Sequence, residues 1–350
     1  MFSRKIKIKN RSIGLNQKPF LIAEVGINHQ GKLGRALKMI EIAKWAGVDA
    51  VKFQTFKADE FISNKDEKFE YFSKGKKVSE SMYKMFKRYE LPESAWVKIK
   101  KKCNKLGIIF FSTPQNYSDL KLLVKIGIPL IKVGSDDFNN LPMLEKFIKF
   151  NIPIIVSCGM SDESEIKETI ALFKKKKSKV ILMLCTSEYP TVSKNVNLLR
   201  LKSLKKLFPN LILGFSDHTI GSLSASAALC LGASVFEKHF TLNNKDIGPD
   251  HWFSENPKNL KKWAEDIRET YKIFGKDKLE PTKLEIKMKV IARRSIVAAK
   301  DINKNEKITK FNICLKRPGD GMEPKNMKKI INLKANKFIF KNEKINFKFL

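Results

Sequence analysis

Eight short apolar runs, each closed by a polar cluster and followed by a helical segment, constrain this chain more than any other feature. They centre on Leu21, Val51, Ile109, Leu130, Ile154, Ile181, Leu213 and Val235. The runs are continuously apolar, as strands buried on both faces are. Parallel strands need crossover connections, and the intervening segments have helical spacing. Leu37, Ile40 and Ala43, for example, share one face of residues 35–46, which stop at Gly47. Eight β/α units predict an α/β fold, a closed (β/α)8 TIM barrel. A doubly wound open sheet is the alternative, but no GxGxxG follows any strand to support a dinucleotide fold.

The stretch 211–241 shows how such a barrel would carry chemistry. It reads as a strand, a polar turn, a small-residue helix and a second strand. Ser216, Asp217, His218 and Thr219 follow the first strand; Lys238, His239 and Thr241 close the second. The two imidazoles would leave the same end of neighbouring strands. With carboxylates nearby, that is one way to hold a divalent metal. Two isolated, hydrogen-bonded histidines are the structural alternative.

Barrel enzymes collect their functional groups at the C-terminal ends of the strands. Those ends carry Glu24, Lys52 with Gln54, Thr113, Lys132 with Ser135 and Asp137, and Ser157. Further on come Thr186 with Ser187 and Tyr189, Ser216 with His218, and Lys238 with His239; Asp246, Asp250 and His251 follow the last strand. Two lysines among hydroxyls suit a phosphate or a carboxylate. Lys52 and Lys132 lie inside strands, where the structural alternative is an ion pair with Glu24 or Asp137. Residues 55–90 form a long insertion rich in lysine and aromatics, expected on the active-site face. Residues 1–18 read as a short polar, basic lead-in.

The β/α pattern ends near residue 276. The expected organisation is a catalytic barrel over 1–276, a charged linker over 277–290 and a small β-rich domain over 291–350. About 60 residues are marginal for independent stability, so this domain is expected to lean on its own barrel or a partner's. The formal net charge of +33 raises a nucleic-acid function. Only nine of the 69 basic residues are Arg, and the lysines run along the whole length. No basic-aromatic RNA motif or zinc module is present, so no nucleic-acid partner is expected. An anionic substrate would still be drawn by this field. The five cysteines are scattered and odd in number, as in a reducing compartment. No apolar run reaches about 18 residues and no signal-peptide stretch opens the chain. No membrane association is expected, and the cytoplasm is the expected location.

Ten motifs in order carry a resemblance. They are AEVGINHQG (23–31), VKFQ (51–54), STP (112–114), IKVGSDD (131–137), CTSEYPT (185–191), GFSDHTIG (214–221), EKHFT (237–241), GPDHWFS (248–254), RRSIVAAKDI (293–302) and KRPGDG (316–321). Together they resemble the N-acetylneuraminate (sialic acid) synthase family, whose barrel is followed by an antifreeze-like (SAF) domain. The resemblance implies condensation of phosphoenolpyruvate with an N-acetylated aldose such as N-acetylmannosamine. A nine-carbon 2-keto acid forms and phosphate leaves. It implies that His218 and His239 hold a divalent metal, Mn2+ first and Mg2+ or Co2+ as alternatives. Lys52, Lys132, Ser135, Ser157, Ser187 and Ser216 would grip phosphoenolpyruvate, with Thr113 beside them. Glu24, Gln54, Tyr189 and Asp250 would face the sugar or water. Arg317 would reach the sugar in a partner's barrel, making a domain-swapped homodimer.

Two positions depart from the family pattern. Asp137 stands where a Glu is expected and is the acid-base candidate; Ser187 stands where an Asn is expected. The acceptor could instead be a 2,4-diacetamido-2,4,6-trideoxyhexose, giving N,N'-diacetyllegionaminate. Two other classes compete: a Schiff-base pyruvate aldolase using Lys132 or Lys52, and a protein that binds polyanions or ice.

Overall fold

The eight apolar runs form eight parallel strands: β1 Phe20–Gly26, β2 Ala50–Thr55, β3 Ile109–Pro114, β4 Ile131–Val133, β5 Ile154–Ser157, β6 Val180–Cys185, β7 Ile212–Asp217 and β8 Val235–His239. Each pairs with its chain neighbour, and β8 closes on β1 with Phe236 opposite Leu21 and His239 opposite Glu24. A helix follows every strand, from Leu33–Trp45 after β1 to Pro257–Ile273 after β8. The computed structural model describes residues 2–350, in two compact units that divide between Gly275 and Lys276.

Strand alternation divides the barrel's side chains into two sets. Leu21, Ala23, Val25, Val51 and Phe53 point outward and pack with helix residues such as Met39, Ile40 and Trp263. Phe20, Ile22, Ala50, Phe111, Leu130, Ile155, Met183, Ile212 and Val235 point inward and fill the lower lumen. Further along seven of the strands, the inward positions turn polar, at Glu24, Lys52, Thr113, Lys132, Ser157, Ser216 and Glu237.

The lead-in is not a plain basic tail. Lys5–Ile8 and Arg11–Gly14 form an antiparallel hairpin. Its Ile6, Ile8 and Ile13 join the lower-lumen cluster at 0–2 % exposure. In Lys5–Ile8 isoleucines alternate with lysines, which gives a basic composition but one apolar face. Each buried Ile contributes about 1.5–3 kcal/mol to closing the barrel floor.

The insertion after β2 folds as a helix Ala58–Phe61, a hairpin Lys68–Ser73 with Lys76–Ser81, and a helix Met82–Tyr89. Lys74 and Gly75 turn the hairpin, both at positive φ (53° and 74°), as a two-residue hairpin turn requires. Ile27, Phe56, Tyr71, Met85 and Tyr89 give the insertion its own small core.

The second unit opens with a helix, Lys283–Ala292, where a linker was expected. Thr282 and Glu285 form its capping box, and none of its residues is buried. An antiparallel pair, Ser295–Ala298 with Ile313–Lys316, then packs on a core that includes Ile296, Ile302, Ile308, Ile330 and Ile339. Among the described residues no helix is long and apolar enough to cross a membrane. All five cysteines are free; Cys103, Cys158 and Cys185 are buried and Cys230 is exposed.

Candidate active site

The upper lumen holds a connected set of buried charges. Lys52 Nζ lies 3.2 Å from Glu24 Oε2 and 3.5 Å from Glu237 Oε1. It also donates to Thr113 Oγ1 at 3.2 Å. Lys132 Nζ donates to Ser157 Oγ at 2.7 Å and stands 3.8 Å from Glu237 Oε1. Ser216 Oγ donates to the same Glu237 oxygen at 3.1 Å. Seven strands thus deliver Glu24, Lys52, Thr113, Lys132, Ser157, Ser216 and Glu237 to one connected set. Glu237 was not among the predicted site residues, although it is the hub joining the two lysines. Its signal was period two: if His239 faces the lumen, so does Glu237, and Lys238 does not.

Lys238 is accordingly a correction. Its ammonium lies behind the barrel wall, 3.0 Å from Asp217 Oδ2 and 3.8 Å from Glu255 Oε1. It also donates to the carbonyls of Thr219 and Gly221. Asp246 pairs with Arg35, and His251 Nδ1 shares a 2.7 Å hydrogen bond with Thr241 Oγ1. These three predicted polar positions hold loops together.

Burial and neighbours set the charges. Burial lifts the Glu24 carboxyl to about 8, only partly opposed by Lys52. Burial also acts against Glu237, yet Lys132 and Lys52 hold it near 2. Burial lowers the Lys132 ammonium, so an anionic ligand would help to keep it charged. Lys52 is raised despite burial, by Glu237 and Glu24.

One layer higher stand the imidazoles, His218 just after β7 and His239 at the end of β8, with ring centroids 5.5 Å apart. His218 Nδ1 lies 2.7 Å from the Thr186 carbonyl oxygen. A carbonyl only accepts, so Nδ1 carries the proton and Nε2 the lone pair. His239 Nδ1 is buried with no hydrogen-bond partner, 3.9 Å from Asp250 Oδ2. Burial, then His218 and Lys52, keep the His239 ring neutral. Burial raises Asp250 to about 6. Tyr189 lies over His218 at 4.1 Å between centroids and edge-on to His239 at 5.9 Å. Against burial, Cys185 and the Thr186 carbonyl raise the His218 ring. Two imidazoles, one of them neutral with an orphaned nitrogen beside a carboxylate, suit a divalent metal. Among the described residues, no three His, Cys, Asp or Glu side chains are grouped to hold one.

Two bare glycines mark where groups converge. A Cβ on Gly26 (φ +52°) would stand 3.3 Å from Glu24 Oε1, 3.6 Å from Asp250 Oδ2 and 3.9 Å from Gln54 Nε2. One on Gly159 would meet Ser187 Oγ at 2.5 Å and Ser135 Oγ at 2.7 Å. Ser135 Oγ accepts the Gly159 N–H at 3.0 Å, while the buried Ser187 hydroxyl has no partner. This second niche is neutral, donor-rich and narrow, as an oxyanion site would be.

One predicted residue is engaged within its own loop. The Asp137 carboxylate accepts from Asn140 Nδ2 within its own loop at 2.9 Å. Its neighbour Asp136 is the one within electrostatic reach of Tyr189. Arg317 belongs to the second unit, exposed in the loop after Ile313–Lys316. Above the imidazoles opens a cavity of about 390 Å³, floored by Gln54, Tyr189, His239 and Asp250 and walled by aromatics of the insertion.

A closed β/α barrel whose upper lumen gathers two lysines, two glutamates and hydroxyls under two histidines has the layout of a barrel enzyme, with its functional groups at the C-terminal ends of the strands. Sequence comparison sharpens the class: the NeuB family model matches residues 39–278, and the SAF domain model matches residues 293–350. The chain belongs to the NeuB family. It is 41 % identical over 309 residues to N,N'-diacetyllegionaminic acid synthase of Campylobacter jejuni, covering 87 % of this chain and 92 % of that one. It is 36 % identical over 335 residues to the Legionella pneumophila enzyme of the same name, covering 94 % and 93 %. The crystal structure of N-acetylneuraminic acid (sialic acid) synthetase from Leptospira borgpetersenii superposes with a TM-score of 0.73 at 34 % identity. That match covers 82 % of this chain and 95 % of the other.

Proposed function

We propose that the protein is a nonulosonic acid synthase that condenses phosphoenolpyruvate with an N-acetylated amino sugar and water, releasing phosphate. One observation carries this reading: two buried lysines and a set of hydroxyls, that of Ser187 without a partner, lie beneath two imidazoles. Lys52 and Lys132 supply cations for the phosphoenolpyruvate carboxylate and phosphate. Ser135, Ser157, Ser187 and Ser216 supply hydroxyls, Ser187 with its hydrogen bond still to make. Thr113 and Glu237 hold the lysines in place. Gln54, Tyr189 and Asp250 line the cavity above, where the sugar would sit. A divalent metal held by His218 and His239, Mn2+ with Mg2+ or Co2+ as alternatives, would supply Lewis acidity at the sugar's aldehyde.

The reaction then runs by carbon–carbon bond formation. Phosphoenolpyruvate C3 attacks the open-chain aldehyde, and positive charge develops at C2 close to Glu24 and Glu237. Water adds at C2, and the tetrahedral intermediate loses phosphate through C–O cleavage. Asp137 is the proposed acid-base group from the family position, with Asp136 the alternative this loop offers. Arg317 of a second copy would complete the sugar site in a swapped homodimer, and the enzyme would work in the cytoplasm.

The names of two relatives favour a diacetamido-trideoxy acceptor over N-acetylmannosamine. The test is phosphate release from phosphoenolpyruvate by metal-stripped protein, with and without Mn2+, offering each sugar. Release that needs both metal and sugar is the expected result, faster with the diacetamido sugar. A faster rate with N-acetylmannosamine would reassign the acceptor. No release with either, together with inactivation by borohydride and pyruvate, would replace the synthase with a Schiff-base aldolase.

A further inference from the structure

The cavity above the imidazoles is asymmetric in its chemistry. Its floor is polar, with Gln54, Asp250 and His239. Its outer wall is aromatic and comes from two separate parts of the chain. Phe72, on the hairpin strand Lys68–Ser73, meets Trp252, in the loop after β8, edge-on at 5.9 Å between centroids. Both rings are large and partly exposed, 51 % and 38 %, at a concave surface. Apolar area left open at a cavity marks the part of a ligand that would cover it. The wall is held in place as well: the Gly248 N–H donates to the buried Ser73 Oγ at 3.2 Å, bolting the hairpin to the β8 loop. The charged group on this wall, Glu70, is paired with Lys77 at 2.7 Å.

We infer that Phe72 and Trp252 form the specificity wall for the end of the acceptor sugar remote from its aldehyde, and that they select a 6-deoxy sugar. The inference rests on the synthase reading above and adds which residues choose the acceptor. A sugar whose aldehyde lies near His218 and His239 would turn its far carbons toward the cavity wall. A methyl group at C6 would cover aromatic surface there. A hydroxyl would be desolvated against the two ring faces, where the Trp252 indole N–H is the one hydrogen-bonding group the pair carries. One such group in an apolar pocket is worth roughly 10- to 100-fold in kcat/KM.

The experiment compares two acceptors differing only at C6: 2,4-diacetamido-2,4,6-trideoxymannose and its 6-hydroxy counterpart. Phosphate release is measured for the wild type, Phe72→Ala, Trp252→Ala and the conservative Phe72→Tyr, each checked by circular dichroism. The wild type is expected to prefer the 6-deoxy sugar at least tenfold. The two alanine variants should lose most of that preference through a raised KM for the 6-deoxy sugar, with the KM for phosphoenolpyruvate unchanged. Phe72→Tyr should shift preference toward the 6-hydroxy sugar. Turnover with an unaltered preference in all three variants would overturn the wall while leaving the synthase intact. Preference for the 6-hydroxy sugar by the wild type would overturn it too. Absence of phosphate release from the wild type with either sugar would overturn the synthase reading, and this inference with it.

Discussion

Two clusters of buried charge lie within one residue of each other in sequence, and they differ in how completely they are satisfied. Behind the barrel wall, the Lys238 ammonium meets Asp217, two carbonyls and Glu255. Asp217 in turn accepts from the Thr219 amide and hydroxyl at 2.9 and 2.7 Å. Nothing in that knot awaits a ligand. Inside the wall, around Glu237, the set is left open: Glu24 Oε1, Glu237 Oε2, Ser187 Oγ and His239 Nδ1 are buried without a hydrogen-bond partner. Leaving such groups unpaired costs about 1–3 kcal/mol each. A fold tolerates that where a ligand will complete the pattern. A saturated cluster therefore reads as structure, and an unsaturated one as a site.

The contrast breaks most sharply at the lysines. Lys238→Met should strand Asp217 and destabilise the barrel by about 3–5 kcal/mol, seen as a large fall in Tm. Lys132→Met should do the reverse: an unchanged or higher Tm, but phosphate release reduced at least about 10³-fold. Equal Tm losses in both would erase the distinction. Next in size, His239→Ala should remove metal-stimulated phosphate release while leaving the fold intact by circular dichroism; near-normal turnover would discard the imidazole pair as the metal site. Glu237→Gln should be milder, about 10- to 100-fold in rate, because it keeps the shape of the hub but removes the charge between the lysines. Arg317→Ala should raise the KM for the sugar severalfold and leave that for phosphoenolpyruvate alone.

The smallest effect calibrates burial away from the site. Asp119, in the helix Tyr117–Lys125, is buried and its carboxyl is raised to about 7, chiefly by burial. In the unfolded chain it titrates near 4, at about 3.9. Between those values the folded chain holds the extra proton, so this group's contribution to stability falls as pH rises from about 4 to 7. Asp119→Asn cannot ionise. Its Tm advantage over the wild type should grow steadily across that window. A constant difference would show that Asp119 is ionised in the native protein.

Much of this was legible because burial writes itself into sequence. The strands of the barrel are buried on both faces, so they stand out as unbroken apolar runs, and their polar ends stand out against them. Glu237 and Lys238 show the limit. Adjacent charges in one strand look alike until alternation assigns them to opposite faces, and then Glu237 joins the lysines while Lys238 leaves the site. The hairpin Lys5–Ile8 and Arg11–Gly14 was hidden for a related reason, since its lysines mask three inward isoleucines. The orientation of Asp137 could not be read at all, because a loop has no period to fix which side chain turns inward. The aromatic wall needed the fold outright: Phe72 and Trp252 are 180 residues apart, and only the barrel's circular order brings the loops after β2 and β8 together.

Calorimetric titration of phosphoenolpyruvate into the full-length wild type and Lys132→Met tests the central claim most directly. The unsaturated lumen predicts one binding event per chain in the wild type, and at least about a 100-fold weaker one in the variant while its Tm is preserved. Equally tight binding to a folded Lys132→Met would mean that the open cluster around Glu237 is not where this protein holds its anionic substrate.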